Sequence, residues 1–271
     1  MKRLVEGTRR RAAALALLLA PAVGSAHDLW IEPSTFHPAV GETVSAALRT
    51  GQKLEGEPLP RVPSFVDRFV LKGSGAELPL DGRPGADPAG WARVGEAGRH
   101  WIGYQSTPYP IVIEAPKFEQ YLKDEGLERI VEERARKGQS GAQGRERFYR
   151  CAKALLSTGD AAGGVFDVPL GFTLELVPKK DPYSMKGAGD LPLALTFRGK
   201  PAAGVLVVAM SKTDPEKAVS ARTDAKGFVK LRLPHPGFWL IKAVHMEPAP
   251  ADSGVDWESW WASVTFELRG K

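Results

Sequence analysis

The β character of this chain is plainest in residues 223–244, which read TDAKGFVKLRLPHPGFWLIKAV. A polar turn with Asp and Gly occupies 223–227, and a second turn with two prolines and a glycine occupies 234–237. The residues between and after these turns, 229–233 and 239–244, are rich in apolar and β-branched side chains. The segment therefore predicts two short strands separated by tight turns.

Similar segments lie on both sides of this one. Residues 173–177, 193–197, 205–209 and 263–268 also read as strands, which gives about six strands over a hundred residues. That spacing predicts a small immunoglobulin-like or transthyretin-like sandwich. Nearer the N-terminus, residues 43–48, 68–71 and 100–104 predict strands of a second sandwich.

The middle of the chain has a different hydrophobic period. Apolar residues recur at helical spacing in three groups, which are Phe118, Tyr121 and Leu122; Leu127, Ile130 and Val131; and Phe148, Cys151, Ala152, Leu155 and Leu156. The pattern predicts three helices, with Cys151 a buried and inert thiol on the third. The charged residues of this region, which include Glu146 and Arg150, are expected on solvated helix faces.

We therefore predict a mainly β protein of two β-sandwich domains with a short helical insertion between them. The N-terminal domain covers residues 27–113, the insertion 114–160 and the C-terminal domain 161–271. A segment with the composition of a secretory signal peptide, residues 1–26, comes first.

The signal peptide accounts for most of the charge. The net charge is +5, yet residues 1–26 hold five of the 37 Lys and Arg residues and one of the 32 Asp and Glu residues, so the remainder carries +1. This near-neutral remainder argues against nucleic acid or an anionic membrane as a partner. The apolar run at 12–20 is short for a membrane span, and small residues at 24–26 predict cleavage after Ala26. Export by the Sec route and by the twin-arginine route both stay open.

Motifs for catalysis are absent from the sequence. The single cysteine excludes an intramolecular disulfide and a Cys-rich metal site. The chain has no GxSxG nucleophile motif, no phosphate-binding loop and no dinucleotide fingerprint. We therefore expect a protein that is not an enzyme.

Several segments of the chain resemble a known family. They are HDLWIEP at 27–33, KFEQYLKDEGL at 117–127, RERFYRCAK at 145–153, DPY at 181–183, HM at 245–246 and DWESWWASVTF at 256–266. The chain resembles a bacterial periplasmic family whose members are labelled either as a domain of unknown function or as the periplasmic component of nickel/cobalt uptake systems. The resemblance implies a periplasmic location, a β-rich fold with an immunoglobulin-like C-terminal domain, and binding of a divalent transition metal. It also implies delivery of that ion to an inner-membrane importer.

The best candidate for a metal ligand is His27, which cleavage after Ala26 would place at the mature N-terminus. Its α-amine and imidazole could together chelate nickel, cobalt or copper. His245 and His37 are the further candidate ligands. The alternatives are that cleavage merely leaves a histidine at 27, that His245 is a hydrogen-bonded histidine at a strand end, and that His37 lies in a turn.

Four carboxylates could orient these imidazoles or contribute a ligand. They are Asp28, Glu32, Glu247 and Glu258. Each could equally be an ordinary surface charge.

Two other functions stay open at this stage. Exposed tryptophans at 257, 260 and 261 would suit a carbohydrate- or protein-binding module, whereas buried ones would be core or interface packing. A copper oxidase that uses an N-terminal histidine brace is the third alternative, and it needs a second histidine near His27.

Overall fold

The computed structural model describes residues 27–159, 164–185 and 187–270. The predicted signal peptide, residues 1–26, lies outside the described residues. The predicted boundary between the insertion and the C-terminal domain, at residue 160, also lies outside them.

The described residues form mainly β structure, so the predicted fold class is confirmed. The strands are β1 (Asp28–Pro33), β2 (Thr43–Gln52), β3 (Glu55–Leu59), β4 (Val66–Lys72), β5 (Leu78–Pro79), β6 (Gly90–Arg93), β7 (Gly98–Ser106), β8 (Tyr109–Ile113), β9 (Gly144–Thr158), β10 (Leu174–Pro178), β11 (Gly189–Phe197), β12 (Lys200–Pro201), β13 (Leu206–Ser211), β14 (Asp214–Arg222), β15 (Phe228–Leu233), β16 (Gly237–Pro248) and β17 (Trp257–Leu268). The α-helices are α1 (Ala115–Asp124) and α2 (Glu128–Arg136).

These strands build three sheets. The central sheet has nine strands in the order β14-β13-β16-β17-β9-β7-β4-β5, and β8 pairs with the first residues of β9. The N-terminal sheet contains β1, β2, β3 and β6, and the C-terminal sheet contains β10, β11, β12 and β15. The pairs of named strands are antiparallel except β9 with β17, which run parallel from Glu146 beside Trp257 to Ala154 beside Thr265.

The three sheets stack as three layers, with the central sheet in the middle. One face of the central sheet, with Leu155 and Ile241, shares a core with the C-terminal sheet. The opposite face, with Ala154 and Leu240, shares a second core with the N-terminal sheet. Because both faces are covered, the central strands need apolar residues on both sides, and eleven of the twelve residues of β17 are buried.

The two helices cover the part of the central sheet that the N-terminal sheet leaves open. Phe118 and Leu122 of α1 and Ile130 of α2 pack on Trp257 and Trp261 of β17. Gly126 links the two helices with a φ of +67°, a backbone conformation that glycine adopts without strain. The first two predicted helices are therefore confirmed.

The third predicted helix is wrong. Residues Gly144–Thr158 form β9, a fifteen-residue strand between β7 and β17. The apolar residues at helical spacing belong to both faces of this strand, with Cys151 and Leu155 in one core and Ala152 and Leu156 in the other. A strand buried on both faces has no period of two, and this is why its pattern resembled a helix.

The predicted strands all overlap observed ones, including both strands of residues 223–244. The division into two domains stays a prediction. The central sheet takes strands from both sides of the predicted insertion. The immunoglobulin-like or transthyretin-like character of the C-terminal part also stays a prediction. No helix among the described residues is long and apolar enough to cross a membrane.

Candidate binding pocket and the predicted site residues

The three candidate histidines lie in different parts of the fold. His245 follows Val244 in β16 and contacts the ring of Phe197 in the C-terminal sheet at 4.4 Å between ring centroids. His37 lies 3.7 Å from Glu267 near the far end of β17. His245 pairs with Trp260 of β17. Trp260 and Glu267 are seven residues apart in that strand, which corresponds to about 23 Å.

His27 lies on the opposite face of the central sheet from His245. The next residue, Asp28, binds Lys242, and the side chains of positions 242 and 245 point to opposite sides of β16. The described residues contain no group of three or more His, Cys, Asp or Glu side chains that could hold a metal ion. The predicted site of His27, His37 and His245 is therefore not assembled, because strands and faces of the sheet separate its members.

Burial determines the protonation of two of these histidines. It lowers the pKa of His37 to about 4, and Arg269 adds to this effect. It also lowers the pKa of His245, although the carboxylate of Glu247, 3.5 Å from Nε2, opposes the shift. Both imidazoles are therefore neutral at pH 7.

The four candidate carboxylates mostly pair with cations rather than with imidazoles. Asp28 accepts from Lys242 at 2.7 Å and Glu32 accepts from Lys212 at 2.7 Å. Glu258 accepts from the Arg147 guanidinium and from the Tyr149 hydroxyl. Glu247 alone lies near a candidate histidine, and it also lies 3.4 Å from Arg198.

The three tryptophans are buried. Trp257, Trp260 and Trp261 expose only 2%, 3% and 6% of their surface. Trp260 stacks on Tyr149 in the core beneath the C-terminal sheet, and Trp257 and Trp261 lie beneath the helices. Their position fits core packing and offers no exposed ring for a sugar.

A pocket opens between the N-terminal sheet and the central sheet, beside β8. Its volume is about 160 Å³. Its apolar and aromatic wall consists of Leu29, Leu59, Phe65, Tyr104, Tyr109 and Phe148. Thr50, Ser106, Thr107 and Arg150 supply its polar groups.

The pocket wall is held in place by ring contacts and backbone bonds. Tyr109, 45% exposed at the edge of the pocket, packs edge-on against Phe65 and lies against Phe148. The Tyr104 hydroxyl donates to the Phe65 carbonyl at 3.2 Å, and the Thr107 hydroxyl donates to the Ser64 carbonyl at 2.8 Å. The turn before β4 is thereby tied to the end of β7, and protein contacts hold this part of the pocket wall.

Arg150 is the one charged side chain among the residues that line the described pocket. Its guanidinium lies over the rings of Phe148 and Trp261, at 4.8 and 4.6 Å from their centroids. Its Nη1 atom is buried and has no hydrogen-bond partner within the described residues. Burial lowers the pKa of Arg150, and the carboxylates of Asp28, Glu146 and Glu125 oppose that shift.

Two buried carboxylates that act on Arg150, Asp28 and Glu125, share one lysine. Lys242 Nζ donates to Asp28 and to Glu125, both at 2.7 Å, and so joins β16 to β1 and to the residue that follows α1. Burial raises the pKa of Glu125 despite this contact. The two carboxylates raise the pKa of Lys242 although burial acts to lower it.

Glu146 completes the polar surroundings of Arg150. It is buried and accepts hydrogen bonds from the hydroxyls of Ser259 and Tyr121. Burial raises its pKa to about 7, against the opposing effect of those two hydrogen bonds. Its Oε2 atom has no partner within the described residues.

Glu146 and Arg150 correct the expectation of solvated charges. Both lie on the face of β9 that also carries Phe148 and Ala152. A period of two across residues 146–152 would have placed these charges among apolar side chains. The helical interpretation of this segment placed them in solvent instead.

Comparison with known proteins gives one family. A profile described as "Domain of unknown function (DUF4198)" matches residues 24–247. The chain belongs to this family. The resemblance to a family of unknown function is thereby confirmed, whereas the nickel/cobalt label is not confirmed. No curated protein matches the chain significantly.

Solved structures give only distant similarities. A tetra-tandem repeat from the extending region of a large adhesion protein is 14% identical, with 90% of this chain and 49% of that chain covered and a TM-score of 0.24. This chain therefore spans about half of that structure. The D0-D1 domain of Intimin is 12% identical, with 88% and 97% covered and a TM-score of 0.21. The Yersinia pseudotuberculosis adhesin InvE is 12% identical, with 89% and 58% covered and a TM-score of 0.21.

Proposed function

We propose that this protein is a periplasmic binding module that holds a small molecule with an apolar body in the pocket between the N-terminal and central sheets. The observation that carries the proposal is the aromatic-walled pocket of about 160 Å³. A dry cavity of about 150 Å³ in another protein is large enough to bind benzene. A ligand with one six-membered ring, or with a branched chain of similar size, matches this volume.

The polar residues of the pocket favour binding over catalysis. No His, Asp, Glu, Lys or Cys side chain is among the described residues that line it. The Ser106 hydroxyl accepts the backbone N–H of Arg150 at 2.9 Å and has no base beside it in the lining. A nucleophile without an adjacent base is weakly activated, so the pocket is suited to holding a ligand unchanged.

A pocket-filling variant tests this proposal. Thr50→Phe puts a ring into the cavity from β2, and Thr43→Phe places the same ring on an exposed position of the same strand. Toluene, titrated by ligand-observed NMR, is expected to bind the wild type and Thr43→Phe in a saturable one-to-one manner and not to bind Thr50→Phe. Absence of saturable binding to the wild type, or equal binding to all three proteins, would contradict the proposal.

A second proposal keeps nickel, cobalt or copper as a cargo, bound by His27 alone among the predicted histidines. Its imidazole is half-buried at the start of β1 and forms no hydrogen bond within the described residues. With a mature N-terminus at His27, the α-amine and imidazole supply two nitrogen ligands, and an inner-membrane importer is the proposed recipient. Calorimetric titration of each metal, compared with a form extended by one N-terminal residue, tests this proposal. Equal affinity in both forms would contradict it.

A further inference from the structure

The guanidinium of Arg150 restricts the chemistry of the ligand. Five N–H groups project from a guanidinium, and in Arg150 the buried Nη1 has no hydrogen-bond partner within the described residues. A buried donor without an acceptor is costly, more so when it carries a charge. Arg150 also lines the pocket, so a bound molecule that reaches Nη1 would satisfy this donor.

Two aromatic rings, of Phe148 and Trp261, contact this guanidinium. Phe148 belongs to the pocket wall, whereas Trp261 lies beneath the helices. The Trp261 indole N–H in turn donates to the Ser259 hydroxyl at 3.0 Å. Contacts with both rings restrict the guanidinium, so less conformational entropy is lost when it binds an acceptor.

The surrounding carboxylates disfavour an acceptor that carries more than one negative charge. Asp28 and Glu125 share Lys242, which leaves that group one negative charge in excess, and Arg150 balances it. The nearby Glu146 would add a further negative charge when ionised. A monoanion thus meets a guanidinium with free donors, whereas a dianion meets more repulsion from these carboxylates.

We infer that the ligand of this pocket is a small aromatic or branched aliphatic monocarboxylate whose carboxylate binds Arg150. This inference rests on the proposed function, because it assumes that the pocket is a binding site. The apolar body of the acid occupies the space among Phe65, Tyr104 and Tyr109, and its carboxylate accepts from the guanidinium, which can donate in bidentate fashion. A neutral molecule of the same shape binds in the same place, but it offers the guanidinium either a weaker, uncharged acceptor or none.

Benzoate, benzyl alcohol and toluene are suitable probes, because they share a ring and differ in the polar group. Isothermal titration calorimetry on the purified wild-type protein is expected to give a benzoate affinity about 10- to 100-fold higher than that of benzyl alcohol. Arg150→Met should reduce benzoate affinity by a similar factor and leave toluene affinity within about threefold. Arg147→Met is the matched control, since Arg147 lies on the same strand, binds Glu258 and is absent from the pocket lining.

The probes separate failure of the inference from failure of the proposed function. If toluene binds and benzoate binds no more tightly than benzyl alcohol, the ligand class is wrong and the pocket remains a binding site. If no probe binds the wild type, the proposed function fails and the inference fails with it. The wild-type comparison among the three probes decides the inference even if Arg150→Met does not fold, and Arg150→Lys then replaces it with an expected intermediate benzoate affinity.

Discussion

Replacement of Lys242 by methionine should destabilise the protein strongly. Lys242 Nζ lies 2.7 Å from a carboxylate oxygen of Asp28 and 2.7 Å from one of Glu125, and both carboxylates are buried. At an effective dielectric constant of 20, each attraction is about 6 kcal/mol, offset by burial of the charges and by repulsion between the two carboxylates. Methionine fills similar space but leaves two buried negative charges unpaired. The expected loss is about 3–5 kcal/mol of unfolding free energy at pH 7.

Urea denaturation of the wild type, Lys242→Met and Lys212→Met measures this effect. Lys212 forms a pair of the same 2.7 Å length with Glu32, but its side chain is half exposed, so its replacement should cost about 0–1 kcal/mol. Two further results are expected. Acid should reduce the deficit of Lys242→Met as the carboxyls protonate, and addition of Asp28→Asn and Glu125→Gln should restore more than half of the loss. Similar losses for the two lysine variants, or a deficit that does not change with pH, would refute the reasoning.

Three further predictions concern other buried groups. Burial raises the pKa of Glu146 from 4.5 to about 7, so its contribution to stability is present below pH 4.5 and is lost as the pH rises through 7. In urea melts the wild type should therefore lose about 3 kcal/mol of unfolding free energy over that range relative to Glu146→Gln. Parallel pH profiles of the two proteins would contradict this. His37→Ala and His245→Ala should each leave the nickel or copper affinity measured by calorimetry within about threefold of the wild-type value. A large loss of affinity in both variants would support a site formed by all three histidines. Trp260→Ala should lower the unfolding free energy by about 3–5 kcal/mol as a core truncation, and an unchanged melting temperature would show that the ring is not core.

Nine of the seventeen strands could be predicted from the sequence, because apolar and β-branched residues between turn residues mark them. In residues 223–244 a polar turn and a Pro-Gly turn flank Phe228–Leu233, whose buried and exposed residues alternate strictly. Such a strand has one face toward a core and one toward solvent. Its alternating pattern and the turn residues at its ends therefore both indicate a strand. The observed strands extend the predicted ones by up to six residues at one end, as at the start of β17.

Strand β9 could not be recognised because its environment depends on distant segments. Its neighbours are β7, about fifty residues earlier, and β17, about a hundred residues later, and separate sheets cover its two faces. Local sequence contains none of this information. The error carried over to the site, because assigning residues 144–158 to a helix placed Glu146 and Arg150 in solvent.

The candidate metal ligands show the same limit for function. The sequence predicts a joint site of His27, His37 and His245 from residue type and from their proximity to a chain end or an acidic loop. In the fold they lie at different ends and on different faces of the central sheet. The pocket draws on six strands and two connecting turns, and it contains no motif with a characteristic spacing. Only the pairing of the sheets brings Leu59, Tyr109 and Arg150 to one cavity.

The most direct test of the central claim is a ¹H–¹⁵N NMR titration of the wild-type protein with benzoate. The account predicts amide shift changes centred on Tyr104, Ser106 and Arg150, which line the pocket on two adjacent strands, and saturation at one molecule per chain. Changes that do not saturate, or that centre on His27 or on the surface around His245, would contradict the claim that this pocket is the binding site.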